Sequence, residues 1–142
     1  MLFNRTYHNK SVLVTGHTGF KGSWLSLWLK ELGANVTGLS NEIPTNPSNF
    51  ETLKLVNDIK DLRVDITDKA KVTKIINDIK PDFIFNLAAQ PLVIDSYENP
   101  TKTIMTNAIG SLNILEAMRL QNHETIGVMI TSDKVYFNKE IS

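Results

Sequence analysis

Short β-branched apolar runs alternate along the chain with segments of helical periodicity. The runs predict strands over Ser11 to Thr15, Asn35 to Leu39, Asp61 to Asp65, Phe83 to Leu87 and Ile126 to Thr131. Strands that alternate with helices are typical of a parallel sheet whose crossover connections are right-handed. We therefore expect an α/β fold, one doubly wound parallel sheet of Rossmann-like type, truncated after about its fifth strand.

The first predicted helix, about Lys21 to Leu32, repeats large apolar residues every three or four positions. Its predicted core face comprises Trp24, Leu25, Trp28, Leu29 and Leu32. We expect both tryptophans to be core residues, and Gly33 to end the helix.

Three further helices are predicted from the same periodicity. A short one covers Asn49 to Leu55, after the polar loop Asn41 to Ser48. Thr67 or Asp68 can cap a second, which ends before Pro81 and buries Val72, Ile75, Ile76 and Ile79. The third runs from about Pro100 to Gln121 and is predicted to bury Ile104, Ala108, Leu112, Leu115 and Met118.

Composition limits the function classes. The 142 residues carry fifteen basic and fifteen acidic side chains, so no net charge attracts nucleic acid or an anionic membrane. The absence of cysteine excludes disulfides and thiolate metal sites, and we predict no metal site. We expect one soluble, cytoplasmic domain, because the start of the chain has no apolar leader pattern and no run reaches membrane-spanning length.

Three glycines, Gly16, Gly19 and Gly22, form a turn between the first strand and the first helix. Glycines allow a sharp turn and close approach of the backbone to a pyrophosphate, and the helix N-terminus then faces the phosphates. The phosphate loop of NTPases requires the order Gly-Lys-Ser or Gly-Lys-Thr. This chain has Lys21-Gly22-Ser23 instead, which excludes that loop. A glycine-rich turn without a ligand stays open as the alternative.

Two further clusters follow strand ends: Leu87 to Gln90, and Thr131 to Lys134. In open α/β sheets ligands bind beyond the carboxyl ends of the strands, where both clusters and the glycine turn converge. Each cluster alone has an ordinary structural explanation, since paired alanines are common in packing and Ser-Asp often forms a turn or cap. Together they indicate a dinucleotide site.

Four runs of the chain match a known pattern: Thr15 to Leu25 (TGHTGFKGSWL), Pro44 to Ser48, Leu87 to Val93, and Thr131 to Lys134. With these runs the chain resembles the CDP-glucose 4,6-dehydratases, a family within the extended short-chain dehydrogenase/reductase superfamily. The Phe-Lys-Gly and Ser-Asp-Lys variants distinguish this family from related sugar-nucleotide dehydratases and epimerases. The similarity extends from about Lys10 to Glu140.

The resemblance implies a lyase reaction that converts CDP-glucose to CDP-4-keto-6-deoxyglucose and water, with transient hydride transfer to NAD. It places Ser132 on the C4 hydroxyl and makes Asp133 the acid for the departing C6 hydroxyl. Lys134 stands where related dehydratases carry a glutamate base. A solvated turn is the alternative for Asp133 and Lys134.

The resemblance also implies which residues hold NAD. The pyrophosphate lies on the glycine turn, adenine lies between Asp65 and Ile66, and the nicotinamide riboside lies along the turn after the fourth strand. Asn107 resembles the family's helix asparagine. The full predicted set is Gly16, Thr18, Gly19, Phe20, Lys21, Gly22, Asp65, Ile66, Leu87, Ala88, Ala89, Gln90 and Asn107. His17 and His123 are interpreted as loop residues.

One expected feature of NAD sites is missing. No acidic residue ends the second strand, where Ser40 and Asn41 stand and Glu42 comes late. The preference for NAD over NADP therefore rests on the resemblance.

The superfamily's Tyr-x-x-x-Lys pair is also missing. Tyr7, Tyr97 and Tyr136 are followed four positions later by serine, threonine and glutamate. We therefore expect residues 1–142 to be an incomplete NAD-binding domain, without the C-terminal substrate-binding region and inactive alone. A non-catalytic nucleotide-binding or interaction module and another extended-family enzyme, such as a nucleotide-sugar epimerase, remain alternatives.

Self-association or marginal stability is expected as well. The apolar Ile126, Val128 and Ile130 of the last strand need cover. The helix from Pro100 resembles one that pairs across the dimer in this superfamily.

Overall fold

Five parallel strands form the sheet in the computed structural model, which describes residues 2–132. They are β1 (Ser11–Thr15), β2 (Asn35–Ser40), β3 (Lys60–Arg63), β4 (Phe83–Asn86) and β5 (Ile126–Met129). Their order is β3-β2-β1-β4-β5 and every neighbouring pair is parallel. The strand order reverses between β1 and β4, so the carboxyl ends of these two strands flank the switch point. The predicted Rossmann-like, doubly wound α/β fold is confirmed.

Six α-helices connect the described strands. They are α1 (Phe20–Glu31), α2 (Asn49–Thr52), α3 (Lys69–Ile79), α4 (Val93–Glu98), α5 (Pro100–Ile104) and α6 (Ser111–Leu120). A π-helical turn, Met105–Gly110, joins α5 to α6, and 3₁₀ turns cover Leu2–Arg5 and Leu55–Asn57. The helix predicted from Pro100 to Gln121 is thus present in three pieces. The one predicted from Asn49 to Leu55 ends at Thr52.

Two apolar cores lie on opposite faces of the sheet. One packs α3 and α6 against the sheet, with Leu13, Ile76, Ile84 and Ile114 at its centre. The other packs α1 and α2 on the opposite face, around Val12, Val14, Leu29, Phe50 and Leu55. The continuous apolar run of β1 follows from this arrangement, because a central strand is covered on both faces.

The predicted core face of α1 is wrong in its largest members. Trp24 and Trp28 are 49% and 50% exposed, and Leu29 is buried as expected. The buried face of α1 is built from Gly22, Ser23, Ser26 and Leu29. Small residues let the helix approach β1 closely, which turns the tryptophans outward.

The predicted buried face of α5 and α6 is also largely wrong. Ile104, Ala108, Leu112 and Leu115 are exposed, and only Met118 of the predicted set packs against the core. The buried residues are instead Gly110, Asn113, Ile114 and Ala117. The helix carries two apolar stripes, and periodicity alone did not identify the one that faces α3.

The polar ends of the helices follow local rules. Asp68 caps α3, where its carboxylate accepts a hydrogen bond from the Lys71 backbone N–H at 3.1 Å. Gly33, at φ +85°, follows the end of α1 as predicted. Within residues 2–132 no helix has the length and apolar character needed to cross a membrane.

Candidate dinucleotide site

A cleft of about 1420 Å³ lies at the carboxyl ends of the strands. It is walled by the glycine turn, by the loops after β2 and β3, by the turn after β4 and by the helices that follow it. Every residue predicted to hold NAD lines this cleft, as does Ser132. Asp133 and Lys134 lie outside the described residues.

Protein packing explains two of the three glycines in the turn. Gly16 has φ +69°, and a Cβ there would lie 2.8 Å from the backbone nitrogen of Ala88. A Cβ on Gly22 would lie 2.1 Å from the carbonyl oxygen of Gly16. These two glycines bring β1, the turn after β4 and the start of α1 into direct backbone contact.

Gly19 has no such packing constraint. Its φ is −72°, and a Cβ there would meet only the carbonyl oxygen of Gly16, at 3.4 Å. It lines the cleft immediately before α1, where the helix N-terminus presents backbone N–H groups and the positive end of its dipole. The space around Gly19 therefore fits an anionic group such as a pyrophosphate.

Thr18 connects the glycine turn to the end of β2. Its hydroxyl lies 2.7 Å from the Ser40 hydroxyl and donates to the Glu42 carbonyl oxygen at 2.6 Å. Thr18 and Ser40 are both buried. The Ser40 side chain at the end of β2 is thus buried and hydrogen-bonded to Thr18. The exposed residues Asn41 and Glu42 form the wall of the cleft at this point.

A buried hydrogen-bond network supports the turn after β4. The Thr15 hydroxyl donates to Asn86 Oδ1 at 2.6 Å and accepts from the Ala88 backbone N–H at 3.1 Å. Asn86 Nδ2 in turn lies 3.1 Å from the Ser111 hydroxyl of α6. The network joins β1, β4 and α6 beneath the predicted nicotinamide position.

Gln90 and Asn107 hold each other. Asn107 Oδ1 accepts from the Gln90 backbone N–H at 2.7 Å, and Asn107 Nδ2 donates to the Gln90 carbonyl at 3.0 Å. The Gln90 side chain bonds the Thr103 hydroxyl and both backbone groups of Leu92. Asn107 lies in the π-helical turn, a feature frequent at functional sites. Both side chains thus shape the loop that walls the cleft.

The loop after β3 forms another part of the cleft wall. Asp65 Oδ1 accepts from the Thr67 backbone N–H at 2.8 Å, and Asp65 Oδ2 lies 3.5 Å from Asn41 Nδ2. The Ile66 side chain is buried in the core, although the residue also lines the cleft.

The interpretation of His17 as a loop residue is incomplete. Its ring is fully buried and Nε2 donates to Asp61 Oδ1 at 2.9 Å, while Asp61 Oδ2 accepts from Arg63 at 2.8 Å. Burial lowers the pKa of His17, and the carboxylate of Asp61 opposes that shift. The ring lies on Gly38, where a Cβ would be 2.3 Å from it. A glycine inside β2 was the available signal for this close approach.

No group of three or more acidic or histidine side chains within the described chain is arranged to hold a metal ion.

Comparison with known proteins identifies the family. The sequence model of the GDP-mannose 4,6 dehydratase family matches residues 13–139. The chain belongs to this family. CDP-glucose 4,6-dehydratase of Salmonella typhimurium is 47% identical over 99% of the chain, which confirms the resemblance seen in the sequence. The chain spans 39% of that relative's length.

Two solved epimerase structures show the same fold as this dehydratase-family chain. An epimerase of Methanothermobacter thermautotrophicus has a TM-score of 0.72 and 34% identity, over 84% of this chain and 34% of its own. UDP-glucose 4-epimerase of Thermus thermophilus, solved in complex with NAD, has a TM-score of 0.66 and 34% identity, over 76% of this chain and 33% of its own.

Proposed function

We propose that this chain is the NAD-binding, amino-terminal part of a nucleotide-sugar 4,6-dehydratase that acts on CDP-glucose. The observation that carries the proposal is Gly19. It is the glycine of the turn that packing leaves unexplained, and it opens on the cleft before the N-terminus of α1. The 47% identity to a CDP-glucose 4,6-dehydratase supports the substrate.

The residues that line the cleft would hold the separate parts of NAD. Gly16, Gly19 and Gly22 would hold the pyrophosphate, and Phe20 and Lys21 would offer it the free backbone N–H groups at the start of α1. Thr18 orients this turn against the end of β2. Asp65 and Ile66, which line the cleft, would flank the adenine.

The turn after β4 would hold the nicotinamide end. Leu87, Ala88 and Ala89 line the cleft there, and short side chains leave room for a flat ring. Gln90 and Asn107 hold this turn in place through their mutual hydrogen bonds.

When bound, NAD supplies the hydride acceptor and donor of the dehydration. We assign Ser132, at the cleft wall, to the hydrogen bond with the sugar C4 hydroxyl. Asp133 is the acid for the departing C6 hydroxyl, and Lys134 occupies the position of the base. No tyrosine in the 142 residues is followed by lysine four positions later. We therefore infer that this chain does not catalyse the dehydration, although it binds NAD.

A second candidate is a nucleotide-binding module without catalysis. The missing Tyr-x-x-x-Lys pair favours it. A nucleotide-sugar epimerase is a further candidate, because the two solved structures that share the fold, at 34% identity, are epimerases. Lys134 and the pair Phe20-Lys21, which resemble the dehydratases, favour the first proposal.

Calorimetric titration of the 142-residue chain with NAD tests the cofactor, and incubation with NAD and CDP-glucose tests turnover. We expect saturable NAD binding and no loss of water from the sugar by mass spectrometry. Dehydrated product would refute the predicted inactivity. A folded chain that binds no NAD would refute the cofactor assignment.

A further inference from the structure

Asn113 of α6 is a buried polar residue outside the cleft, and it holds the loop after β3 from behind. The residue is 5% exposed. Nδ2 lies 3.0 Å from the Ile66 carbonyl oxygen and 3.1 Å from the Thr67 carbonyl oxygen, and it donates to both. A side-chain amide that satisfies two backbone carbonyls of one loop restricts the orientation of both peptide groups.

The neighbouring turn of the same helix region supports the same loop. A Cβ on Gly110 would lie 2.5 Å from Cδ1 of Ile66, so the glycine makes room for this buried side chain. Ile66 is therefore held by packing at Gly110 and by the hydrogen bond from Asn113. The two contacts lie three residues apart and face the loop together.

The hydrogen bond from Asn113 extends to the cleft through one peptide group. The Ile66 carbonyl and the Thr67 N–H belong to the same trans peptide and point in opposite directions. The carbonyl is bonded to Asn113, and the N–H is bonded to Asp65 Oδ1 at 2.8 Å. The orientation of this peptide thus sets the position of the Asp65 carboxylate, which lines the cleft.

We propose that Asn113 is a positioning residue for base recognition, acting through the Ile66–Thr67 peptide on the Asp65 carboxylate. This inference rests on the proposed NAD site. A carboxylate only accepts hydrogen bonds, so it pairs with the exocyclic amino group of adenine and disfavours the carbonyl that hypoxanthine carries at the same position. Asn113 therefore contributes to the preference for an adenine dinucleotide without touching it.

The test compares NAD with its hypoxanthine analogue, deamino-NAD, on wild type and variants. Asn113→Ala removes the donor, whereas Ile114→Val perturbs the adjacent buried residue of α6 and leaves the loop contacts in place. We expect Asn113→Ala to weaken NAD binding on the order of tenfold, since two hydrogen bonds of the loop are lost. Its NAD to deamino-NAD affinity ratio should approach one, while Ile114→Val keeps the wild-type ratio.

Gly110→Ala provides a second route to the same loop, because the added methyl group displaces Ile66 while Asn113 stays intact. If Asn113→Ala does not fold, Gly110→Ala should lower the same ratio. An unchanged ratio in a folded variant that binds NAD would overturn the proposal. So would a wild type that binds both dinucleotides equally.

Hydrogen exchange of the unliganded chain separates this inference from the proposed function. Asn113→Ala should speed exchange of the Thr67 amide more than Ile114→Val does, when the two variants are compared under conditions that give them the same free energy of global unfolding. Equal exchange in the two variants would overturn the role of Asn113 even if the chain bound no dinucleotide. Failure of wild type to bind NAD, with the exchange difference present, would refute the NAD site and with it the base-recognition role.

Discussion

At the scale of single residues, the glycine turn contains side chains with opposite surroundings. Gly19 faces open space in the cleft, and His17, two positions earlier, is enclosed between β2 and Phe50. The place of Gly19 at the cleft could be predicted from the sequence, because the glycine motif lies within seven consecutive residues, Gly16 to Gly22. The burial of His17 could not be predicted, because the position of its ring depends on Gly38 in β2 and on Asp61 in β3.

The buried imidazole makes the stability of the fold depend on pH. Burial depresses the pKa of His17 in the folded state below its value of 6.5 in the unfolded chain. The unfolded state therefore binds the proton first, and stability is lost as pH falls below about 6.5 towards the folded-state pKa. We expect the free energy of unfolding of wild type to decrease between about pH 7 and 5.

His17→Gln should reduce this loss, since an amide does not titrate and keeps an N–H donor for Asp61. His8→Gln, which removes an exposed imidazole, serves as the control and should retain the wild-type decrease. Urea unfolding at several pH values measures both. Equal pH dependence of wild type and His17→Gln would show that His17 is not its source.

At the scale of elements, strand ends are joined by side chains whose partners are distant in sequence. Thr15, Asn86 and Ser111 link β1, β4 and α6, and strand periodicity contains no information on this network. The order of strands and helices was predictable, because the alternation of β-branched runs and amphipathic segments is strong. The buried face of the π-helical turn and α6 was not predictable, because Gly110 and Asn113, which lie on that face, have no apolar side chain.

Thr15→Val should destabilise the chain by about 1–3 kcal/mol, because it leaves the Ala88 N–H and Asn86 Oδ1 without their buried partner. Thr37→Val is the matched control. Thr37 is also a buried strand threonine, and among the described residues its hydroxyl makes none of these contacts. Chemical denaturation should show little change for Thr37→Val. An equal effect of the two substitutions would contradict the role assigned to the Thr15 hydroxyl.

At the scale of the whole molecule, the described chain exposes apolar surface on two sides. Ile126, Val128 and Ile130 are exposed near the edge of the sheet, and Ile104 and Leu112 are exposed on α5 and α6 outside the cleft lining. Exposed apolar patches of this kind mark interaction surfaces. We predict that the chain self-associates, and that the α5 and α6 face takes part.

Leu112→Lys should shift the sedimentation distribution towards monomer, because Leu112 is 50% exposed on that face and lies outside the cleft lining. Val56→Lys introduces the same charge at a similarly exposed site in the 3₁₀ turn Leu55–Asn57 and should leave association unchanged. Sedimentation velocity over a range of concentrations measures the effect. A wild type that stays monomeric at every concentration would contradict the prediction.

The central claim is that the glycine turn holds the pyrophosphate of NAD. A Cβ at Gly19 fits the fold, so Gly19→Asp adds a carboxylate to the cleft with little steric strain. Two like charges about 4 Å apart repel by roughly 1 kcal/mol even in water. Asn122→Asp places the same charge on an exposed residue just before β5, at the amino ends of the strands.

Calorimetric titration of these two variants with NAD is therefore the most direct test. We predict that Gly19→Asp weakens NAD binding by about tenfold or more and that Asn122→Asp binds as wild type does. Equal affinity of the two folded variants for NAD would contradict the account.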